Sequence, residues 1–476
     1  MSQDQNLIAS LVEAVGADHV KTDADELGYY GTDRCRGDWP ISPRVVVLPK
    51  TAPEVQAVVR ACAAAGAKIV PSGGRTGLTG AATATGGEVV LSLERMNRIL
   101  DVDPAAHTLR CEAGATVEAV QMAAEAHGLL YPVDFAAKGS AQIGGSIATN
   151  AGGVKVLRYG STRAWVSGLD VVVASGELLH LGGSLVKDNT GYDLRQLFIG
   201  AEGTLGIIVG ATMRLCTPPK GLLVALCSVP DEAHVLSLFT RARRELPLQA
   251  FECFDQGCLR HVLEHRGLTG RGPFADPSPQ HVLIEIEVEG DGEEAQEQAH
   301  DRLTLCLADA QEAGEIEDAV VASTSAQAKD LWEYREGISE SLHAHTPHKS
   351  DIALPISEVT AFLEQWRPAV AEALPDAEAL VFGHVGDGNL HLNVLKPEGE
   401  SVESFVARAT AFDDQTYALV QKFGGSVSAE HGIGLLKREH LHFSRSPGEL
   451  AMMRAIKQAL DPAGMFNPGK VLPANP

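Results

Sequence analysis

The sequence is short of positive charge. Its 476 residues carry 39 Lys and Arg against 62 Asp and Glu, a formal net charge of −23. Such a surface repels nucleic acid and anionic membranes at long range, so neither is an expected partner. No apolar run approaches the roughly 18 residues a membrane helix needs. No secretory signal is visible, because MSQDQNLIASLVEAVG is polar and then amphipathic. The cysteines (Cys35, Cys62, Cys111, Cys216, Cys227, Cys253, Cys258 and Cys306) form no C-x-x-C pair. They read as small apolar residues in a reducing compartment, and a cytoplasmic protein is expected. No iron–sulfur cysteine pattern is present. What the chain has in quantity is glycine, 48 residues, clustered in short loops between apolar runs.

The length suggests two or three domains. RVVVLPKTAPEVQAVVRACAAAGAKIVPSGG reads as strand, helix, strand. Thr51 and Glu54 have the spacing of a capping box, with Pro53 at the helix start. Val55, Val58, Val59 and Cys62 follow helical spacing and should face a core. Short strands are expected over 88–115 and a helix over 116–128. After Pro218-Pro219 the texture changes. Strands near 222–229 and 281–289 alternate with helices near 231–245, 293–313 and 326–345. The chain closes with a helix and the turn-rich DPAGMFNPGKVL.

The loop Pro71-Ser72-Gly73-Gly74-Arg75-Thr76-Gly77-Leu78-Thr79-Gly80 can present several backbone N–H groups to one anion. It lacks the Walker lysine and does not fit G-x-G-x-x-G. AQIGGSIATNAGGVKVLRYGSTRAW and GAEGTLGIIVGATMRL are two further Gly-rich segments. Three such loops suggest a long ligand threaded between two subdomains, and an FAD dinucleotide fits.

VFGHVGDGNLHLNV at 381–394 reads as a β-hairpin. Asp387-Gly388 suits a two-residue type I′ turn, which would set His384 directly opposite His391 on one face, with Asn393 on the same side. SAEHGIGLLK at 428–437 adds Glu430 and His431. Two imidazoles and a carboxylate make a three-ligand set with an open position. Zn2+ suits N/O ligation, with Mn2+, Fe2+ and Co2+ as alternatives. The same set alone also admits a metal hydrolase.

The three Gly-rich segments resemble the FAD-binding domain of the vanillyl-alcohol-oxidase-type flavoproteins. G-H-x-G-D-G-N-x-H and S-x-E-H-G-I-G resemble the C-terminal domain of the FAD-linked D-lactate, glycolate and D-2-hydroxyglutarate dehydrogenases. The resemblance implies an α+β fold. A two-subdomain FAD-binding domain (1–217) precedes an α/β substrate and metal domain with an antiparallel sheet (218–420). A C-terminal segment (421–476) would complete the active site and pack on the FAD domain.

By the same resemblance, flavin contacts fall on Ser72, Gly73, Gly74, Arg75, Thr76, Gly77, Ser140, Gly144, Thr149, Gly152, Gly153, Tyr159, Gly160, Glu202, Gly206 and Ile208. Residues 71–80 contain no histidine, so non-covalent FAD is expected. The positions that bind zinc in metal-dependent members are His384, His391 and Glu430. His431 matches the proposed base, and Asn393 a substrate contact. LWEYREGISES is helical in pattern and places Arg335 and Ser339 on one face. With Lys349 these resemble the carboxylate-receiving region of the D-2-hydroxyglutarate dehydrogenases. Ser339 stands where some relatives have threonine, and the spacing to the lysine varies. Arg335 can grip a carboxylate bidentately. The bland alternative pairs Arg335 and Lys349 with Glu336, Glu340 or Asp351 on the surface.

The expected reaction is metal-dependent oxidation of D-2-hydroxyglutarate, with D-malate a second dicarboxylate candidate, to the 2-oxo acid by hydride transfer to flavin. D-Lactate or glycolate oxidation on the same fold is the alternative. A flavin-binding electron-transfer subunit without its own substrate is an alternative of another class. Resemblance also implies electron-transfer flavoprotein as acceptor, and relatives often form homodimers.

Overall fold

A computed structural model describes residues 3–35, 39–270 and 272–473. The chain divides into two compact units. The first comprises residues 1–153, 159–218 and 430–476. The second comprises 154–158 and 219–429.

The first unit holds two sheets. β1 (Val20–Lys21), β2 (Val45–Val47), β3 (Ile69–Ser72) and β4 (Val89–Ser92) form one, in the order β1-β2-β4-β3. β2 and β3 run parallel to β4. The helix Ala52–Ala65 makes the crossover between β2 and β3. Thr51 Oγ1 accepts the Glu54 N–H at 3.3 Å, and Val55, Val58, Val59 and Cys62 are fully buried. The expected capping box is half formed, because the Glu54 carboxylate reaches the Lys50 N–H instead, at 2.7 Å. β5 (Ile99–Asp103), β6 (Thr108–Glu112), β7 (Val166–Val172), β8 (Leu178–Gly182) and β9 (Ile207–Arg214) form an antiparallel sheet in the order β5-β6-β9-β7-β8.

The second unit is built on one seven-stranded antiparallel sheet. Its strands are β10 (Leu222–Val229), β11 (Leu248–Asp255), β12 (Gln280–Glu287), β13 (Asp318–Val321), β14 (Pro347–Ala353), β15 (Glu378–Gly383) and β16 (Asn389–Leu395). They lie in the order β13-β10-β12-β11-β15-β16-β14. The helices Gln256–His265 and Ser325–Glu336 pack on one face of it, burying Leu259, Val262 and Leu331 with Phe254, Leu380 and Phe382. Residues 154–158, from the middle of the second Gly-rich segment, belong to this unit through the ion pairs Lys155–Glu285 and Arg158–Glu287.

Two local expectations change. β15 and β16 do form an antiparallel hairpin, but Phe382, not His384, lies opposite His391. A type I′ turn needs positive φ at both central residues. Only Gly388 has it, at 83°, while Val385–Asp387 coil into a single 3₁₀ turn. The Asp387 carboxylate accepts the Asn389 N–H at 3.1 Å and holds the longer connection closed. The helix expected over 326–345 also breaks. It ends at Glu336, turns at Gly337 and resumes as Ile338–Ser341. Arg335 is buried and Ser339, four residues on, is exposed.

Candidate active site

In the first unit, β3 delivers the chain into the loop at 73–77, all of it half-buried. A Cβ on Gly74 would stand 1.9 Å from the Ser140 carbonyl oxygen, so the loop and the second Gly-rich segment touch backbone to backbone. Gly144 is pressed on Ala113 and Gly77 on Asp33. Gly153, at φ 135°, would place a Cβ 2.0 Å from the Asp134 carbonyl. Glycine at these positions is required by the protein's own backbone as much as by any ligand. Ser72 Oγ and Gln142 Oε1 are buried with no hydrogen-bond partner among the described residues, and Gly73 lies against that same Gln142 oxygen. An orphaned donor and acceptor beside a loop of open amides fit a polar ligand such as a dinucleotide.

Other expected flavin positions have visible structural duties. The Arg75 guanidinium stacks on Tyr29 and Tyr30, 4.2 and 4.8 Å from their centroids. Thr149 Oγ1 donates to the Gly145 carbonyl. Tyr159 packs edge-on against Trp165 and accepts its indole N–H through the backbone carbonyl. Gly206 leaves room for Val171 and Phe198, and Ile208 is buried in β9 opposite Val171. Gly152 is buried, Thr76 and Gly160 are half-buried, and Ser140 is exposed.

Glu202 is engaged on both oxygens. They accept the Ile433 and Gly434 N–H groups, each at 2.8 Å. Burial pushes its carboxyl up to about 7, against the pull of those amides and Lys437. It thus grips the E-H-G-I-G loop just past His431, whose carbonyl accepts the Thr79 hydroxyl at 3.3 Å. Glu430 and His431 are both half-buried, with His431 Nε2 3.6 Å from Glu430 Oε1.

In the second unit, the register lines up a row across four strands: Phe254, Phe382, His391, Asp351. Alternation puts Glu252, Leu380, Asn393 and Lys349 on that same face. Lys349 is exposed and lies opposite Asn393. Asn393 is 1% exposed, and its Oδ1 has no hydrogen-bond partner among the described residues. The shift of register does not separate the two histidines. His384 leaves the ladder, and its ring meets that of His391 edge-on at 5.4 Å.

Each imidazole has a carboxylate behind it. His384 Nδ1 is 2.7 Å from Glu252 Oε1, which fixes Nδ1 as the protonated nitrogen and Nε2 as the lone-pair nitrogen. His391 Nδ1 lies 3.7 Å from Asp351 Oδ1. The other Asp351 oxygen accepts the Ala429 N–H at 3.2 Å, and Glu430 and His431 are the next two residues of the chain. Arg335 Nε lies 2.8 Å from Glu252 Oε2 as a close ion pair out of line for a hydrogen bond. Its guanidinium rests over the Phe382 ring at 4.8 Å. Burial works to raise the Glu252 carboxyl, but its contacts with His384 and the Arg335 guanidinium hold it below the usual range. The surface pairing considered for Arg335 is therefore not what forms. Its countercharge is a fully buried strand residue. Sequence reading missed Glu252 and the role of Asp351. The available signal was a glutamate inside the apolar run LQAFECFD, where an unpaired charge is costly.

Nearly the whole chain matches known families. Residues 43–182 match the FAD binding domain, and residues 219–471 match the C-terminal domain of FAD linked oxidases. A D-2-hydroxyglutarate dehydrogenase of Xanthomonas citri pv. viticola is 48% identical over 98% of this chain and 96% of its own length. One from Stutzerimonas stutzeri is 45% identical over 99% and 100%. The mitochondrial enzyme of Bos taurus is 39% identical over 98% and 83%. The fold is similar to that of p-cresol methylhydroxylase, with a TM-score of 0.78 at 18% identity, covering 100% of this chain and 98% of that one. It is also similar to 4-ethylphenol oxidase from Gulosibacter chungangensis, with a TM-score of 0.75 at 19% identity, covering 99% and 98%. The expected vanillyl-alcohol-oxidase-type architecture is thus the observed one, and the chain belongs to the FAD-linked oxidase family, as an FAD-dependent oxidoreductase grouped with the D-2-hydroxyglutarate dehydrogenases.

Proposed function

We propose that the protein oxidises D-2-hydroxyglutarate, and D-malate as a second dicarboxylate, to the corresponding 2-oxo acid. The observation that carries this reading is a polar cluster on the helix-covered face of the seven-stranded sheet. There a buried arginine, a buried His384 facing a half-buried His391, and a buried asparagine with an orphaned oxygen lie among apolar side chains. Such a set is expensive unless a charged, chelating ligand uses it. FAD, when bound, would supply the hydride acceptor for C2, and a divalent metal, for which Zn2+ suits the donors, would supply Lewis acidity toward the 2-hydroxyl. His384, His391 and Glu430 would hold that metal. Glu252 sets the tautomer of His384, and the Asp351 carboxylate stands 3.7 Å behind His391 Nδ1.

The chain's own groups do the rest. Arg335 and Lys349 neutralise the distal carboxylate, with Ser339 adding a hydrogen bond. Asn393 orients the substrate from the floor of the site. His431 Nε2 takes the hydroxyl proton as C2 is oxidised. The flavin loops named above hold FAD non-covalently. We assign electron-transfer flavoprotein as the acceptor, a homodimer as the assembly, and the cytoplasm as the compartment. A reducing compartment suits the free, buried thiols of Cys62, Cys111, Cys227, Cys253, Cys258 and Cys306.

The test is anaerobic addition of D-2-hydroxyglutarate, D-malate, D-lactate and glycolate to the purified yellow protein, before and after chelation. Bleaching near ~450 nm by the dicarboxylates, lost on chelation and restored by metal, is expected. Bleaching by lactate or glycolate alone overturns the roles given to Arg335 and Lys349. No bleaching by any acid leaves an electron-transfer subunit. His431→Ala should lower turnover about 10²–10⁴-fold with FAD retained, and near-normal turnover there rejects His431 as the base.

A further inference from the structure

Three elements distant in sequence converge on one carboxylate. Glu252 comes from the middle of β11, Arg335 from the end of the helix Ser325–Glu336, and His384 from the turn after β15. Glu252 is 1% exposed, Arg335 6% and His384 7%. Each Glu252 oxygen serves a different partner: Oε1 the His384 imidazole at 2.7 Å, Oε2 the Arg335 guanidinium at 2.8 Å. A simple countercharge for a buried arginine would use both oxygens in a fork. Here the fork is divided between the two groups.

We propose that Glu252 is a positioning residue that couples metal binding at His384 to recognition of the distal substrate carboxylate by Arg335. The proposal rests on the roles given above to His384 and Arg335. On the histidine side, the carboxylate accepts Nδ1–H and fixes the ring, leaving Nε2 to act as the ligand atom. On the arginine side, Glu252 takes the Nε edge while the Phe382 ring supports the guanidinium plane. The two η nitrogens make no hydrogen bond among the described residues, so they are the edge left for a carboxylate. A change at the arginine therefore reaches the metal through the shared carboxylate, although the arginine ligates nothing.

The experiment uses full-length, FAD-loaded protein as wild type, Glu252→Gln, Glu252→Asp and Arg335→Lys. Zn2+ affinity is read by chelator competition without substrate, and KM is read for D-2-hydroxyglutarate and for D-lactate. We expect Glu252→Gln to bind Zn2+ about 10–100-fold more weakly and to lose selectivity for the dicarboxylate about tenfold, with Glu252→Asp between it and wild type. Arg335→Lys should weaken Zn2+ a few-fold. A merely structural role for Glu252 would lower stability without moving the KM ratio between the two acids. Glu252→Gln that keeps wild-type Zn2+ affinity and selectivity overturns the coupling while the site reading stands. If Glu252→Gln does not fold, Glu252→Asp indistinguishable from wild type in both readouts overturns it equally. Wild-type protein that binds no Zn2+ overturns the site reading, and the coupling with it.

Discussion

Glu202 in the first unit and Glu252 in the second are both enclosed by protein, at 6% and 1% exposure, yet they titrate in opposite directions. Glu202 faces two backbone amides, and its carboxyl is pushed up to about 7 by burial. Glu252 faces an imidazole and a guanidinium, which hold it below the ordinary range despite burial. Backbone amides orient the Glu202 carboxylate without repaying its desolvation, whereas the Arg335 charge and the His384 N–H together offset that of Glu252. The first glutamate is therefore suited to gripping a loop. The second is suited to fixing side chains whose charge or lone pair is used.

The largest effect should come from neutralising the better-compensated charge. Glu252→Gln leaves Arg335 buried without its partner, and a cost of about 3–5 kcal/mol is expected. Urea unfolding of the metal-free protein measures it. A loss below about 1 kcal/mol would erase the distinction between the two glutamates.

Glu202 should show itself through pH instead. Its folded carboxyl is raised above the ordinary value of 4.5, so the folded state holds a proton that the unfolded chain has released. Its contribution is full below that ordinary value and is lost as pH rises to about 7. The loss amounts to about 3 kcal/mol. Wild-type stability should fall across that window, and Glu202→Gln should remove this part of the slope. Parallel slopes in the two proteins would mean that amides compensate the carboxylate better than the comparison allows.

How much of this was legible in the sequence follows from how local each feature is. The β2–helix–β3 passage, the Thr51 cap and the apolar positions through Cys62 depend on neighbours a few residues away, and they form as their spacing predicts. The His384/His391 hairpin was legible as a hairpin. Its register was not, because Asp387-Gly388 closes a 3₁₀ turn rather than forming a turn by itself. The helix expected over 326–345 was legible as a helix, but its interruption at Gly337 was not. Glu252 and the capture of residues 154–158 by Glu285 and Glu287 depend on pairs more than 80 residues apart, and no periodicity encodes them.

The smallest expected effect contrasts two left-handed glycines, one in each unit. Gly424 has φ 70° with open space where a Cβ would be, whereas Gly434 has φ 52° and would place a Cβ 2.2 Å from the Thr79 carbonyl oxygen. Alanine at either position meets the left-handed penalty of about 1–2 kcal/mol. At Gly434 it must also displace backbone, because Thr79 O already accepts the Leu435 and Leu436 N–H groups. That displacement moves one of the two amides held by Glu202 and with it the loop carrying His431. Gly434→Ala should therefore cost about 1 kcal/mol more than Gly424→Ala in urea unfolding. It should also lower turnover where Gly424→Ala does not. Equal costs with equal turnover would mean that the loop after His431 yields freely, and that the Glu202 grip does not fix the position of the base.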